Sequence, residues 1–246
     1  MHRTWQFILP AALLAATLAS SAGDLNSDLL EAARSGDSAK VLALLTQGAD
    51  VNAHGDDYMT PLILAAQNDQ TSGVKMLLAH GANVNAKSAL GVTALMSVAR
   101  SGGIETVRAL LARKPALNTQ NNNGTTALMR AAQRGDAAIT QALLAAGAAP
   151  DVKDVRGATA LLRAAVNGHT EVVAMLLSRG ADVNVQTSAG WTACMLAAVA
   201  GHASMVELLI MKGADLKAKT DLGWTAESAA AKTGRTEVIA ILKKAR

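Results

Sequence analysis

The chain has 246 residues, half of them apolar, and a formal net charge of +4. Aromatic residues make up only 2% of it, which excludes the usual thick globular core that relies on Phe, Tyr and Trp for bulk. The single cysteine, Cys194, excludes an intrachain disulfide, and a mild basic excess without a Lys/Arg-rich tail gives no nucleic-acid signature.

Residues 1–22 differ from the rest. Arg3 supplies a positive start, Trp5 to Leu18 form an apolar run interrupted by Pro10, and Ser20-Ser21-Ala22 end it with small residues. This three-part order is that of a secretory signal, with cleavage expected after Ala22. The run is shorter than the roughly 17–25 apolar residues that span a bilayer, so no stable membrane anchor is expected after cleavage. No cysteine follows to carry a lipid. The expected location is periplasmic or secreted, and an Ala-rich chain without paired cysteines points first to the periplasm.

A strict internal period begins beyond this segment. Thr60, Thr93, Thr126, Thr159, Thr192 and Thr225 are each 33 residues apart, and one further step back reaches Ser27. Such self-similarity is the mark of a solenoid. Seven units are expected, at about 24–53, 54–86, 87–119, 120–152, 153–185, 186–218 and 219–246, forming one domain over 23–246. Each opens a helix: Thr60-Pro61-Leu62 has a hydroxyl to cap and a Pro tolerated at the first position. Later units place Ala, the best helix former, after the Thr. A small pair follows, as in Ala65-Ala66, Val98-Ala99, Ala131-Ala132, Ala164-Ala165, Ala197-Ala198 and Ala230-Ala231, and lets neighbouring helices approach closely. Gly36, Gly102, Gly135, Gly168, Gly201 and Gly234 mark the turn to a second helix. That helix has apolar residues at helical spacing, as in Val74, Leu77 and Leu78, and closes at Gly48, Gly81, Gly147, Gly180 and Gly213. Segments such as Ala49-Asp50-Val51-Asn52 and Ala181-Asp182-Val183-Asn184 lead into an extended loop.

With Thr-Pro-Leu, Ala-Ala, Gly-His, Leu-Leu and Gly-Ala-Asp-Val-Asn in a 33-residue frame, residues 24–246 resemble the ankyrin repeat. The resemblance implies an all-α solenoid of helix–turn–helix units with β-hairpin loops projecting as fingers from one edge. It also implies a non-catalytic protein-binding role. Several positions depart from the pattern. The usual His after Thr-Pro-Leu is replaced by Ile63, Met96, Met129, Leu162 and Met195, and Leu by Cys194. Lys114 before Pro115 stands at a helix-closing Gly, so the second helix there is expected to end early. Tyr58 stands where other units have Gly91, Gly124, Gly157, Gly190 and Gly223, so the finger at His54 to Asp57 is expected to be irregular.

Signatures of chemistry are missing from the sequence: there is no phosphate-cradling Gly loop, His-Glu-x-x-His, Cys-x-x-Cys or Gly-x-Ser-x-Gly. No enzyme activity, cofactor or metal is therefore expected. His169 and His202, without acidic or thiol companions, read as structural. Met96, Met129 and Met195 read as core rather than a redox stripe. Cys194 reads as a small core residue rather than a reactive thiol, which needs exposure and a nearby cation.

The resemblance places a partner on finger tips and on the exposed side of the first helix, and these are the positions that vary while the framework repeats. Candidate contacts are Tyr58, Gln120, Asn122, Asn123, Arg130, Arg134, Arg156, Arg163, Trp191 and Trp224. Trp191 and Trp224 serve either as interface anchors or as packing between neighbouring fingers. Arg100, Arg130, Arg134, Arg156 and Arg163 form either a basic stripe suited to a carboxylate-bearing protein partner or a scattered solvated surface. The leading expectation is an exported monomeric scaffold that docks one protein to protect, inhibit or localise it. The rivals are polyanion binding through the basic stripe, disfavoured by export, and an enzyme with an unrecognised site.

Overall fold

A computed structural model describes residues 24–245; the expected signal segment, residues 1–22, lies outside the described residues. Within them there are fourteen helices and no strand. Helix α1 covers 24–35. The others are α2 Ser38–Thr46, α3 Pro61–Gln67, α4 Thr71–Ala79, α5 Ala94–Ser101, α6 Ile104–Leu111, α7 Ala127–Arg134 and α8 Ala137–Ala145. After these come α9 Ala160–Val166, α10 Thr170–Ser178, α11 Ala193–Ala200, α12 Ala203–Met211, α13 Ala226–Lys232 and α14 Thr236–Lys244. From α3 to α13 the odd-numbered helices pack in one row, each on the next, and the even-numbered helices α2 to α14 pack in a second.

The start of each first helix follows the repeating Thr. The hydroxyls of Thr60, Thr93, Thr126, Thr192 and Thr225 each accept a hydrogen bond from the N–H three residues on, satisfying a donor that the helix itself cannot reach. Thr159 is the exception, with a fully buried hydroxyl that has no partner. Thr126→Val should therefore cost about 1 kcal/mol. Thr159→Val, which removes an unsatisfied buried group, should cost nothing. Urea titration of both variants measures the contrast, and equal losses would show that capping is not the distinction.

Packing explains the lack of aromatics. Ala65, Ala66, Val98, Ala99, Ala131, Ala132, Ala164, Ala165, Ala197 and Ala198 are wholly buried between first helices, and the core continues through Leu77, Leu110, Leu143, Leu176 and Leu209 of the second row. Small side chains bring helix axes close, so thin layers still reach crystal-like density. Ala231 is exposed because the row of first helices ends at α13 among the described residues. Met96, Met129, Cys194 and Met195, expected in the core, are all buried there, as are Ile63 and Leu162.

Polar side chains join the layers where the apolar core does not reach. Asn52, Asn85, Asn118, Asp151 and Asn184 each accept, through a side-chain oxygen, a backbone N–H at the start of the next unit's loop, and Asn26 accepts that of Asp50 within the first unit. At the helix turns, Gln70, His169, His202 and Arg235 donate across the stack to the carbonyls of Arg34, Gln133, Val166 and Val199. The two histidines are thus structural.

The fingers differ from the expected β-hairpins. Each is a tight turn in which one backbone bond spans the base, such as Asn121 N to Thr125 O or Asp154 N to Ala158 O. One bond joins each finger to the next, as from Asn122 N to Leu90 O and Val155 N to Asn123 O. Arms this short make too few ladder bonds to form a strand. The first full finger, expected to be irregular, closes like the others from Gly55 N to Met59 O; it departs at Tyr58, a non-glycine residue at φ +56°, and at Gly55, which brings no side-chain acceptor to the finger base. Lys114, at φ +50°, follows a helix that stops at Leu111, one residue short of its repeat equivalents, as its Pro neighbour led us to expect.

Candidate functional site

Between the fingers and the first helices of the middle units lies a groove of about 460 Å³. Asn123, Val155 and Arg156 enter it from the fingers, and Arg130, Gln133, Arg163 and Val166 from α7 and α9. A second hollow of about 260 Å³, lined by Met59, Leu90, Met96, Arg100 and others, adjoins it at Arg130. The first helices put these side chains on the open face because their opposite sides are occupied by the small buried pairs.

The sequence-predicted residues divide by what they touch. Arg163 is held in place: its guanidinium donates to Asp154 Oδ2 at 2.7 Å, Gln133 Oε1 at 2.8 Å and Thr125 Oγ1 at 3.4 Å. The Asp154 carboxylate is only 4% exposed. Arg134 lies outside the groove, against Gly102, and donates to the carbonyl of Arg100. Gln120 spans to Gly124 and Lys153, and Asn122 to Ala89, so both amides tie fingers together.

Three of the five arginines remain available. Arg100 and Arg156 are exposed, and neither guanidinium makes a hydrogen bond or ion pair among the described residues. Arg130 is half-buried, and its guanidinium makes no hydrogen bond or ion pair among the described residues. Its guanidinium is pushed below the usual range, first by burial and then by the charges of Arg163 and Arg100, which places three cations near one another on the inner face. Val155 and Val166 stay largely exposed beside them.

The aromatics behave differently. Trp191 and Trp224 are half-buried and meet edge to face with centroids 6.0 Å apart, while Lys232 Nζ sits 4.4 Å from the Trp224 ring centre. This is packing between neighbouring fingers. Tyr58 is exposed and stacks on His54.

Residues that sequence reasoning missed hold the site in shape. Ser88, Asn121, Asp154, Thr187 and Thr220 stand at finger bases, and each accepts one or more backbone N–H bonds from its own finger. Their signal was an oxygen-bearing side chain recurring every 33 residues. Among the described residues no group of three His, Cys, Asp or Glu comes together as a metal site, and no helix is long and apolar enough to cross a membrane. Burial pushes the Cys194 thiol up to about 11, which leaves it protonated and unreactive near neutral pH.

The family model described as ankyrin repeats (3 copies) matches residues 29–121, 98–187 and 180–246. No curated protein matches the chain.

Proposed function

Since the chain belongs to the ankyrin-repeat family, whose repeats generally mediate protein–protein interaction, we propose that it is a non-catalytic scaffold that captures a protein partner in the inner groove. The partner lies across finger tips and first helices, and is protected, inhibited or localised by being held there. We read the fourteen helices as seven units of one monomeric, exported domain. The leader-like residues 1–22 and the absence of paired cysteines support the periplasm or the exterior as its location.

One observation carries the reading: a groove with available cations, Arg130 and Arg156, lies beside exposed Val155 and Val166. Exposed apolar surface edged by unpaired charge is what an interface needs. The test is capture from the exported fraction by the tagged full chain, itself recovered from that fraction. We expect Arg130→Glu with Arg156→Glu to lower partner yield at least tenfold while the helical circular dichroism is unchanged. Equal yield from a folded double variant would sink the reading. Arg134 and Arg163 are unsuitable for this test, because both hold neighbouring parts of the fold.

A further inference from the structure

The two hollows form a series, and among the described residues Arg130 alone lines both. Met59, Leu90, Val92 and Met96 line the smaller, and Val155, Leu162, Val166 and Leu196 the larger. The acidic residue in this lining is Asp154, whose carboxylate is engaged by Arg163. Arg130 therefore stands unpaired where a largely apolar hollow meets a mixed one that carries four large aliphatic side chains. The exposed Arg100 and Arg156 add positive potential on either side, and Arg163 is neutralised by Asp154. Such a site is complementary to one negative charge flanked by apolar groups.

We propose that the groove takes an extended segment of a partner in which one Asp or Glu is flanked on both sides by aliphatic residues. The carboxylate sits on Arg130, and one aliphatic side chain enters each hollow. In an extended chain, residues two apart share a face and are roughly 7 Å from each other. The matching pattern is thus aliphatic-x-acid-x-aliphatic, which spans neighbouring first helices that pack about 8–10 Å apart. Guanidinium and carboxylate pair bidentately, which fixes the segment's register. A nucleic-acid strand fits less well, because it would press charged phosphates and sugars against the aliphatic side chains of the two hollows.

This inference rests on the scaffold reading and names the chemistry of what it holds. The test is selection of a random heptapeptide display library on the full chain, followed by titration of the consensus peptide. We expect the selected sequences to carry Asp or Glu with aliphatic residues two positions to each side. Arg130→Gln should raise the peptide's Kd at least tenfold, as should Asp→Asn in the peptide, with little further loss when the two changes are combined. Melting temperature verifies that Arg130→Gln folds.

Several outcomes overturn the proposal: a failed selection, a consensus without an acid, or equal binding by Arg130→Gln. So does a single-stranded oligonucleotide that binds through Arg130 where no acidic peptide does. A protein partner retained from the exported fraction equally by wild type and Arg130→Gln also overturns it, while leaving the scaffold reading in place.

Discussion

Asp154→Ala is expected to destabilise the chain by about 3–5 kcal/mol, the usual cost of removing one partner of a buried ion pair. The carboxylate has two functions. Oδ1 accepts the backbone N–H groups of Arg156 and Ala158, closing the finger, and Oδ2 accepts from Arg163. Its loss opens the finger and leaves a largely buried guanidinium, whose Nε already lacks a partner, without a counter-charge. Asp154→Asn separates the two functions. Asn121 shows that an amide oxygen can close a finger in the same way, so this variant should lose the charge alone and cost roughly half as much. Urea unfolding of both variants supplies the comparison. An Asp154→Ala loss below about 1 kcal/mol, within the range of exposed pairs, would show that the pair is not buried in effect. The same result bears on function, because a loosened finger moves Val155 and Arg156, which line the groove.

The second large effect is expected at Gly103. A Cβ built there would lie 1.7 Å from Asp69 Oδ1, so Gly103→Ala must displace a carboxylate that accepts from the buried Thr106 hydroxyl at 2.6 Å. Overpacking and the lost hydrogen bond together should cost about 3 kcal/mol. Elsewhere in the stack the roles are reversed. Gly36 faces the Gln70 side chain, Gly135 faces His169, Gly168 faces His202 and Gly201 faces Arg235. At this one step Asp occupies the turn position, at φ +53°, and Gly leaves room opposite. Adding Asp69→Gly to Gly103→Ala removes the clash and relieves a left-handed residue that costs about 1 kcal/mol or more. The double variant should therefore return to within about 1 kcal/mol of wild type, a coupling of the size found between contacting residues. Additive losses in thermal melts would contradict this account of the step.

Neither pair was evident from the sequence, although both lie on repeat positions. Asp69 and Gly103 are 34 residues apart, and each alone looks like a small lapse in the pattern. In sequence Arg163 looks like one of five surface cations, yet it is held by groups from its own unit and the one before. Arg134 looks like part of the same stripe but binds the carbonyl of Arg100 instead. Arg130, an available cation, and Arg163, a paired one, occupy the same position of successive units. What distinguishes them is the residue at the preceding finger base, Asn121 before Arg130 and Asp154 before Arg163.

The sequence by itself determined the period, the order of helices, the buried small pair, the capping Thr and the early end of α6. Each of these depends on backbone preference or apolar spacing within one unit, where neighbours along the chain are also neighbours in space. Only the tertiary structure decided which arginines are free, how fingers close without strands, how the tryptophans pack on each other, and how Asp69 and Gly103 fit. These depend on side chains of successive units meeting at distances of a few ångströms. A 33-residue period tells which units are adjacent, but charge pairing and steric fit across the stack are set by reach and direction, which no position along a chain records.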